Sequence, residues 1–119
     1  MNDQNGGVAD LETEIFSIIR DAGEARGLLY EALEACRRGD STEGEKLYAA
    51  AGEKLTDAHR VQAALVSRDL AEGVPISLLL VHTQDQLMTT MSEQTLLREL
   101  MSMADELHAL RAQVARLES

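Results

Sequence analysis

Apolar residues recur every three or four positions through three long stretches of this 119-residue chain. That spacing predicts three amphipathic helices, over about 10–38, about 41–71, and from about 75 to near the C-terminus. The connections at 39–41 and 72–74 are short, so consecutive helices should pack as antiparallel neighbours. We therefore predict an all-α fold, an antiparallel up-down three-helix bundle.

The expected helix ends rest on a few residues. Asp10 is predicted to cap the first helix, and Ser41 or Thr42 the second. The only proline, Pro75, suits the first turn of the third helix, where its missing N–H costs nothing. If Pro75 is already helical, Ser77 cannot be the cap of that helix.

The chain divides into a short tail and one domain. The start, MNDQNGG, is polar and rich in glycine, so residues 1–9 are predicted to form a disordered N-terminal tail. Residues 10–119 should form a single three-helix domain with an extended C-terminal helix. Only 3% of the residues are aromatic, so the core must be built from aliphatic side chains and methionine.

The end of the third helix carries a coiled-coil pattern. Its apolar residues are spaced alternately by four and three, as in the a and d positions of a heptad repeat. At about 40 residues, or roughly 60 Å, this helix should project past its shorter partners and favour self-association. We call this row of a and d positions the seam. Continued from Leu96 toward the N-terminus, the same register passes through polar side chains. His108 is not at an a or d position, so it should be exposed to solvent. The apolar positions are Leu96, Leu100, Met103, Leu107, Leu110, Val114 and Leu117, and the polar ones are Glu93, Thr89, Gln86 and His82.

Two features of the first helix are interpreted structurally. Gly23 and Gly27 lie inside it, each costing about 1 kcal/mol relative to alanine, which favours close packing against another helix. Cys36 is the only cysteine, which excludes an intrachain disulfide, and its helical surroundings indicate a small core or interface residue.

Charge and hydropathy limit the possible partners. The net charge of −10 argues against binding to nucleic acid or to an anionic membrane surface. The N-terminus lacks the pattern of a signal peptide, and the longest apolar run is too short to span a bilayer. A cytoplasmic protein is expected.

A polar cluster interrupts the third helix shortly after its start. His82, Asp85, Gln86 and Thr89 follow the apolar run LLLV and share one helix face, because they are spaced i, i+3, i+4 and i+7. A polar face set into an apolar helix is either a satisfied buried network or a working site.

The residues alone leave the chemistry of this cluster open. His82 and Asp85 could bind a metal, although two ligands from one chain are too few for a closed site. His82 could also act as a nucleophile. The sequence contains no glycine-rich phosphate loop, no Ser/His/Asp set and no HExxH motif.

The run LLVHTQDQLMT resembles the signature of enzyme IIA of the lactose/cellobiose (chitobiose) class of the phosphoenolpyruvate-dependent sugar phosphotransferase system. The stretches IIRDAGEARGLLYEAL, GDSTEGEKL and DAHRVQAALV are similar to that family's first two helices, in the same order.

The resemblance implies a phosphocarrier that assembles as a parallel homotrimer of three-helix bundles. His82 would accept a phosphoryl group from the carrier HPr and pass it to a cysteine of enzyme IIB, which works with the membrane enzyme IIC. Asp85 would hold a divalent cation on the trimer axis, and its oxygen ligands suit Mg²⁺. Gln86 and Thr89 are candidates for stabilising the phosphoryl oxygens. The alternative is a non-catalytic trimeric scaffold or regulatory adaptor with the same fold.

Two departures from the family pattern accompany the resemblance. The family often has histidine where this chain has Gln86, which can donate a hydrogen bond but cannot titrate. The C-terminal end is long, acidic and heptad-like, whereas family members often end in a short basic tail.

Overall fold

The structure is a computed structural model that describes the backbone of residues 3–119 and the side chains of residues 11–119. Its three helices are α1, Asp3–Arg37; α2, Ser41–Glu72; and α3, Leu78–Glu118. α1 packs extensively against both other helices, whereas α2 and α3 touch each other much less. The predicted all-α three-helix architecture is confirmed.

The first helix begins earlier than the sequence pattern indicates. α1 starts at Asp3 instead of Asp10, so helical backbone replaces the disordered tail predicted over residues 3–9. The remainder of that predicted tail, Met1 and Asn2, lies outside the described residues. Apolar periodicity could not reveal this extension, because residues 3–7, DQNGG, are only polar residues and glycine.

The turn between α1 and α2 is made by a glycine and capped by an aspartate. Gly39 has a φ of +90°, in the left-handed region that favours glycine. The carboxylate of Asp40 accepts a hydrogen bond from the N–H of Glu43 at 3.1 Å. Asp40 therefore caps α2, and the prediction of Ser41 or Thr42 was one or two residues late. A carboxylate at this position also interacts favourably with the helix dipole.

The third helix starts later than predicted. Ser77 is extended, with ψ of 152°, and its hydroxyl accepts a hydrogen bond from the N–H of Leu80 at 3.1 Å. Ser77 is thus the N-cap of α3, and Pro75 precedes the helix, so the prediction that Pro75 forms its first turn was wrong. Before it, Gly73 closes α2 with a φ of +66°.

The core is aliphatic, as the composition predicts. The apolar spacing of the second helix also includes Ala64 and Leu70, but both are exposed, while Gln62 and Asp69 are buried. Gln62 and Asp69 are seven residues apart, so they lie on one stripe of the helix. The buried apolar residues are Ile15, Ile18, Ala22, Ala25, Leu29, Ala32, Ala35, Cys36, Ala51, Leu55, Ala58, Leu65, Leu80, Leu87, Leu97 and Met101.

α1 and α2 approach each other closely at Gly44. A Cβ added there would lie 2.6 Å from the Sγ of Cys36 and 3.1 Å from the carbonyl oxygen of Ala32. Burial, reinforced by the carboxylate of Asp105, raises the pKa of the Cys36 thiol to about 11. Cys36 is therefore a protonated core residue, which confirms the structural interpretation of this cysteine.

The last part of α3 projects beyond the other two helices. Residues 106–119 are exposed without exception. His108 is exposed as predicted, but its imidazole also lies over Gly39 and leaves no room there for a Cβ. The turn between α1 and α2 thus marks the level at which the bundle ends and α3 continues alone.

The predicted heptad seam lies on the outside of this helix. Its seven apolar side chains are between 37% and 87% exposed, while Leu97 and Met101 on the opposite face are buried in the bundle. The described chain therefore leaves the seam free for contact with another molecule.

We expect the glycines of α1 and α2 to respond oppositely to substitution. Gly44→Ala should lower the free energy of unfolding by about 1–3 kcal/mol, because the new methyl group overpacks the α1–α2 contact. Gly23→Ala should raise it by up to about 1 kcal/mol, since an added Cβ at Gly23 or Gly27 meets no atom within 4 Å. The open space beside Gly23 and Gly27 also means that the prediction of close helix packing at these two glycines was wrong.

Urea unfolding of the two variants measures the difference. Equal destabilisation by both substitutions would contradict the packing described for Gly44 and the open space at Gly23.

Candidate functional site

The first turns of α3 are anchored through one buried face. Leu80 and Leu87 pack in the core and alternate with two buried threonines along the same stripe. Thr83 donates a hydrogen bond to the carbonyl oxygen of Leu79 at 2.7 Å, and Thr90 donates to that of Gln86 at 2.9 Å. Because both buried hydroxyls are satisfied within the helix, this face can pack against apolar neighbours without a desolvation penalty.

The predicted site residues lie on the other side of the helix. His82, Asp85 and Thr89 are exposed, and Gln86 is partly buried. Together with Arg26 of α1, these four residues line an open groove of about 410 Å³. The structure thus brings all four predicted residues together along one surface of α3.

His82 and Asp85 have no hydrogen-bond or ion-pair partner among the described residues. The imidazole is therefore not part of a satisfied buried network, which was one of the two interpretations that the sequence left open. An exposed neutral imidazole on a rigid helix offers a lone pair to an incoming electrophile. The other interpretation, a working site, fits this placement.

Sequence reasoning missed an ion pair that fixes α3 against α1. The Nε of Arg26 lies 3.0 Å from Glu93 Oε2, and the hydroxyl of Tyr30 donates to the same oxygen at 3.0 Å. The carboxylate of Glu93 holds the pKa of Arg26 above its ordinary value. The signal in the sequence was the acidic residue at the position where the apolar heptad pattern becomes polar. Glu93 lies eleven residues from His82, about 16 Å along the helix, so this pair positions α3 from a distance.

The ion pair also corrects the register of the outward face. The strict heptad run backwards passes through Glu93 and Gln86, but Glu93 is turned toward α1 and its side chain is only 17% exposed. Ser92 and Asp85, one residue earlier in each case, are exposed instead. Two successive steps of four residues, from Ser92 to Leu96 and from Leu96 to Leu100, produce this shift and constitute a stutter in the repeat.

The corrected seam carries the site residues in its middle. It remains exposed along its whole length and is apolar at both ends, with the polar cluster between them. His82 and Asp85 are successive positions of this seam, three residues apart. The seam before Leu96 consists of Leu78, His82, Asp85, Thr89 and Ser92.

A hydrogen bond between two glutamine amides, one buried and one exposed, fixes the start of α3 against α2. The Nε2 of Gln62, a buried residue, donates to the Oε1 of Gln84 at 2.8 Å. Gln84 lies two residues from His82, so this bond helps to determine which way the outward face turns. The other two histidines lie elsewhere: His59 is exposed on α2, and His108 lies about 39 Å along α3 from His82.

The described side chains of one subunit do not form a metal site. Among residues 11–119, no group of three or more His, Cys, Asp or Glu side chains is arranged to hold an ion. A cation at Asp85 would therefore need ligands from other copies of the chain.

Among the residues that the structure describes, no helix combines the length and apolar character needed to cross a bilayer.

Comparison with known proteins identifies consistent relatives. The family model for the PTS system, lactose/cellobiose-specific IIA subunit, matches residues 13–105. The N,N'-diacetylchitobiose-specific EIIA component of Escherichia coli (strain K12) is 37% identical over 101 residues, covering 84% of this chain and 87% of that protein. The lichenan-specific phosphotransferase enzyme IIA component of Bacillus subtilis is 32% identical over 99 residues, covering 82% and 90%.

Solved structures show the same architecture. The IIA(Chitobiose) structure solved in complex with HPr from Escherichia coli has a TM-score of 0.76 and 35% identity, covering 82% of this chain and 96% of that one. The cellobiose-specific enzyme IIA from Bacillus anthracis has a TM-score of 0.73 and 32% identity, covering 82% and 91%.

We predict that the amide pair contributes measurably to stability. Gln84→Ala should lower the free energy of unfolding by about 1–3 kcal/mol, because it leaves the buried amide of Gln62 without its partner. Adding Gln62→Leu should recover much of that loss, since it removes the unpaired polar group.

Urea unfolding again provides the measurement, with Ser102→Ala as the control, because Ser102 is an exposed polar residue of α3 outside the seam. If Gln84→Ala behaved like Ser102→Ala, the pair would have no role in fixing α3.

Proposed function

Because this chain belongs to the lactose/cellobiose-specific IIA family of the phosphotransferase system, we propose that it is a phosphocarrier. His82 accepts a phosphoryl group from phospho-HPr and passes it to a cysteine of the sugar-specific enzyme IIB. With the membrane enzyme IIC, this transfer drives uptake and phosphorylation of a β-linked disaccharide. The observation that carries the proposal is the exposed, unpartnered imidazole of His82 on a firmly anchored helix.

The transfer needs little covalent machinery. An imidazole nitrogen of His82 attacks the phosphorus of the donor phosphohistidine; a new N–P bond forms as the donor's N–P bond breaks. In the second step a thiolate of the acceptor attacks the same phosphorus and frees the imidazole. Catalysis in such reactions consists mainly of positioning and charge stabilisation.

Gln86 and Thr89 are the donors that this chain can supply to the phosphoryl oxygens. They lie about 6 Å and 10 Å further along the helix from His82. The amide of Gln86 donates without changing charge, so its contribution does not depend on pH. Arg26 lies at the far end of the groove and is engaged by Glu93, so it is not part of this set.

The proposed assembly is a parallel homotrimer with the α3 helices around the axis. Support comes from the exposed seam of α3, which is apolar before and after the polar cluster. Such a face on an isolated subunit exposes apolar area that association would bury. In this arrangement Asp85 of each copy faces the axis and His82 lies beside it, within reach of a partner protein.

A divalent cation on that axis would offset the charge of three Asp85 carboxylates. At ~4 Å and an effective dielectric of 20, each pair repels by about 4 kcal/mol. The residues fit a hard ion in chemistry, because carboxylate oxygens and waters are the ligands that Mg²⁺ prefers. Bound there, the ion would supply structural neutralisation, while His82 would accept the phosphoryl group.

The proposed partners are HPr, enzyme IIB and two further copies of this chain. The structure similar to this chain that was solved with HPr supports the first of these. The same family relationship supports a cytoplasmic location. A non-catalytic trimeric scaffold or regulatory adaptor that retained the fold without carrying phosphate is the alternative.

His82→Ala should abolish phosphorylation by phosphoenolpyruvate, enzyme I and HPr, while helix content and assembly stay unchanged because the side chain is exposed and unbonded. The measurement is the appearance of a heat-stable but acid-labile phosphoryl group on the protein.

His59→Ala is the matched control and should be labelled as fully as the wild type. Label that persisted in His82→Ala would exclude His82 as the acceptor, and an unlabelled wild type would favour the scaffold.

Removing the cation should weaken the trimer. A chelator is expected to lower the melting temperature of the wild type, whereas Asp85→Leu should remove this sensitivity and leave the trimer as stable or more stable. Melting followed by circular dichroism, with and without added Mg²⁺, is the test. A wild-type melting temperature indifferent to both chelator and Mg²⁺ would rule the cation out.

A further inference from the structure

The end of α3 lies outside the part of the chain that the family match explains. That match stops at residue 105, but the helix continues to Glu118, about 20 Å further. This extension makes no contact that buries any of its residues, and its apolar side chains are exposed. Leu107, Leu110, Val114 and Leu117 nevertheless keep the heptad spacing.

The register assigns a distinct charge pattern to the flanks of this seam. With Leu107 at position a and Leu110 at position d, Glu106 falls at g and Arg111 at e. In parallel, in-register coiled coils, residue g of one helix lies beside residue e of the next heptad of its neighbour, five positions later. Glu106 therefore faces Arg111 of a neighbouring copy, and neither has an ion-pair partner within the described chain.

The pattern distinguishes parallel from antiparallel pairing. In an antiparallel pair, g positions face g positions, and the available residues there are Glu99, Glu106 and Gln113. Facing g positions therefore offer no base to Glu106, whereas facing e positions could match Arg111 with Glu118. The parallel arrangement is the one that pairs Glu106 with Arg111.

A groove at the base of the extension combines apolar residues of the seam with charged residues. It measures about 490 Å³, and its apolar floor is formed by residues such as Leu33, Met103 and Leu107. Arg37, Glu106 and Arg111 also line it. A second α3 placed along the seam would cover the apolar residues and bring its own Glu106 toward Arg111.

We infer that residues 106–118 form a parallel coiled-coil stalk with two further copies of this chain, held in register by pairs between Glu106 and Arg111 of neighbouring subunits. The inference rests on the proposed trimer and extends it beyond the region shared with the family. A second copy is the favoured occupant because the seam is continuous with the face that carries Asp85, and because its charges complement themselves.

Charge reversal in the full-length chain tests the register. Glu106→Arg and Arg111→Glu should each raise the dissociation constant of the trimer at least about tenfold, since three attractive pairs become repulsive. The double variant should return it to near the wild-type value. Sedimentation equilibrium at low ionic strength measures all three, and added salt should shrink the differences.

Glu99→Arg combined with Arg111→Glu is the control, because Glu99 faces Ala104 in the proposed register and no rescue is expected. Single variants that associate like the wild type, or a double variant that fails to recover, would overturn the stalk. Leu110→Asp should weaken the trimer independently of these charges, and an unchanged trimer would mean that the seam serves another partner.

Phosphorylation from phospho-HPr, measured on the same samples, keeps this inference separate from the proposed function. A labelled wild type whose assembly ignores the charge reversals would defeat the stalk alone. A trimer that shows the expected rescue but takes no label would defeat the phosphocarrier alone.

Discussion

The packing of the buried face of α3 against α1 is the interaction on which the rest of the structure depends. Ala22 and Ala25 of α1 belong to the same buried cluster as Leu80 and Leu87 of α3, and such small side chains permit close packing of helices. Two threonines complete the same face because their hydroxyls bond to carbonyls of their own helix. Once this face is buried, the opposite face must point outward, and that orientation gives His82 and Asp85 their exposure.

Ion pairs between helices refine this arrangement without providing much stability. Lys54 reaches Glu24 at 2.7 Å, and Arg98 binds Glu45 with one contact at 2.9 Å while lying over the ring of Tyr48. Exposed pairs contribute about 0–1 kcal/mol each. Their main effect is on geometry, since each pair fixes the rotation and register of one helix against another.

The sequence predicted the fold well because periodicity alone specifies three helices and their buried faces. It failed where several residues competed for one role. Asp40, Ser41 and Thr42 can all cap a helix, and only the three-dimensional turn selects Asp40. The seam register likewise depended on the tertiary contact of Glu93 with Arg26 and Tyr30, which no local pattern reveals.

The candidate site was found by its pattern and interpreted by its resemblance to a family. A histidine between apolar and polar residues is equally consistent with a buried network and with an exposed nucleophile. Exposure of His82 depends on which face of α3 the other helices cover, and that is a property of the whole bundle. The resemblance supplied the function that the four residues, taken alone, could not.

The burial of Cys36 has a consequence for the fidelity of a carrier. In the proposed relay the next acceptor is a thiolate, so any reactive thiolate on the carrier itself would be a competing destination for the phosphoryl group. Two features of the fold prevent Cys36 from acting as such a competing acceptor. A thiol with a pKa of about 11 stays protonated at neutral pH, and the close approach of Gly44 seals it from solvent. Cys36 also lies near the level of Asp105, about 35 Å along the bundle from His82. The protein can thus contain a cysteine that does not compete with the next carrier for the phosphoryl group.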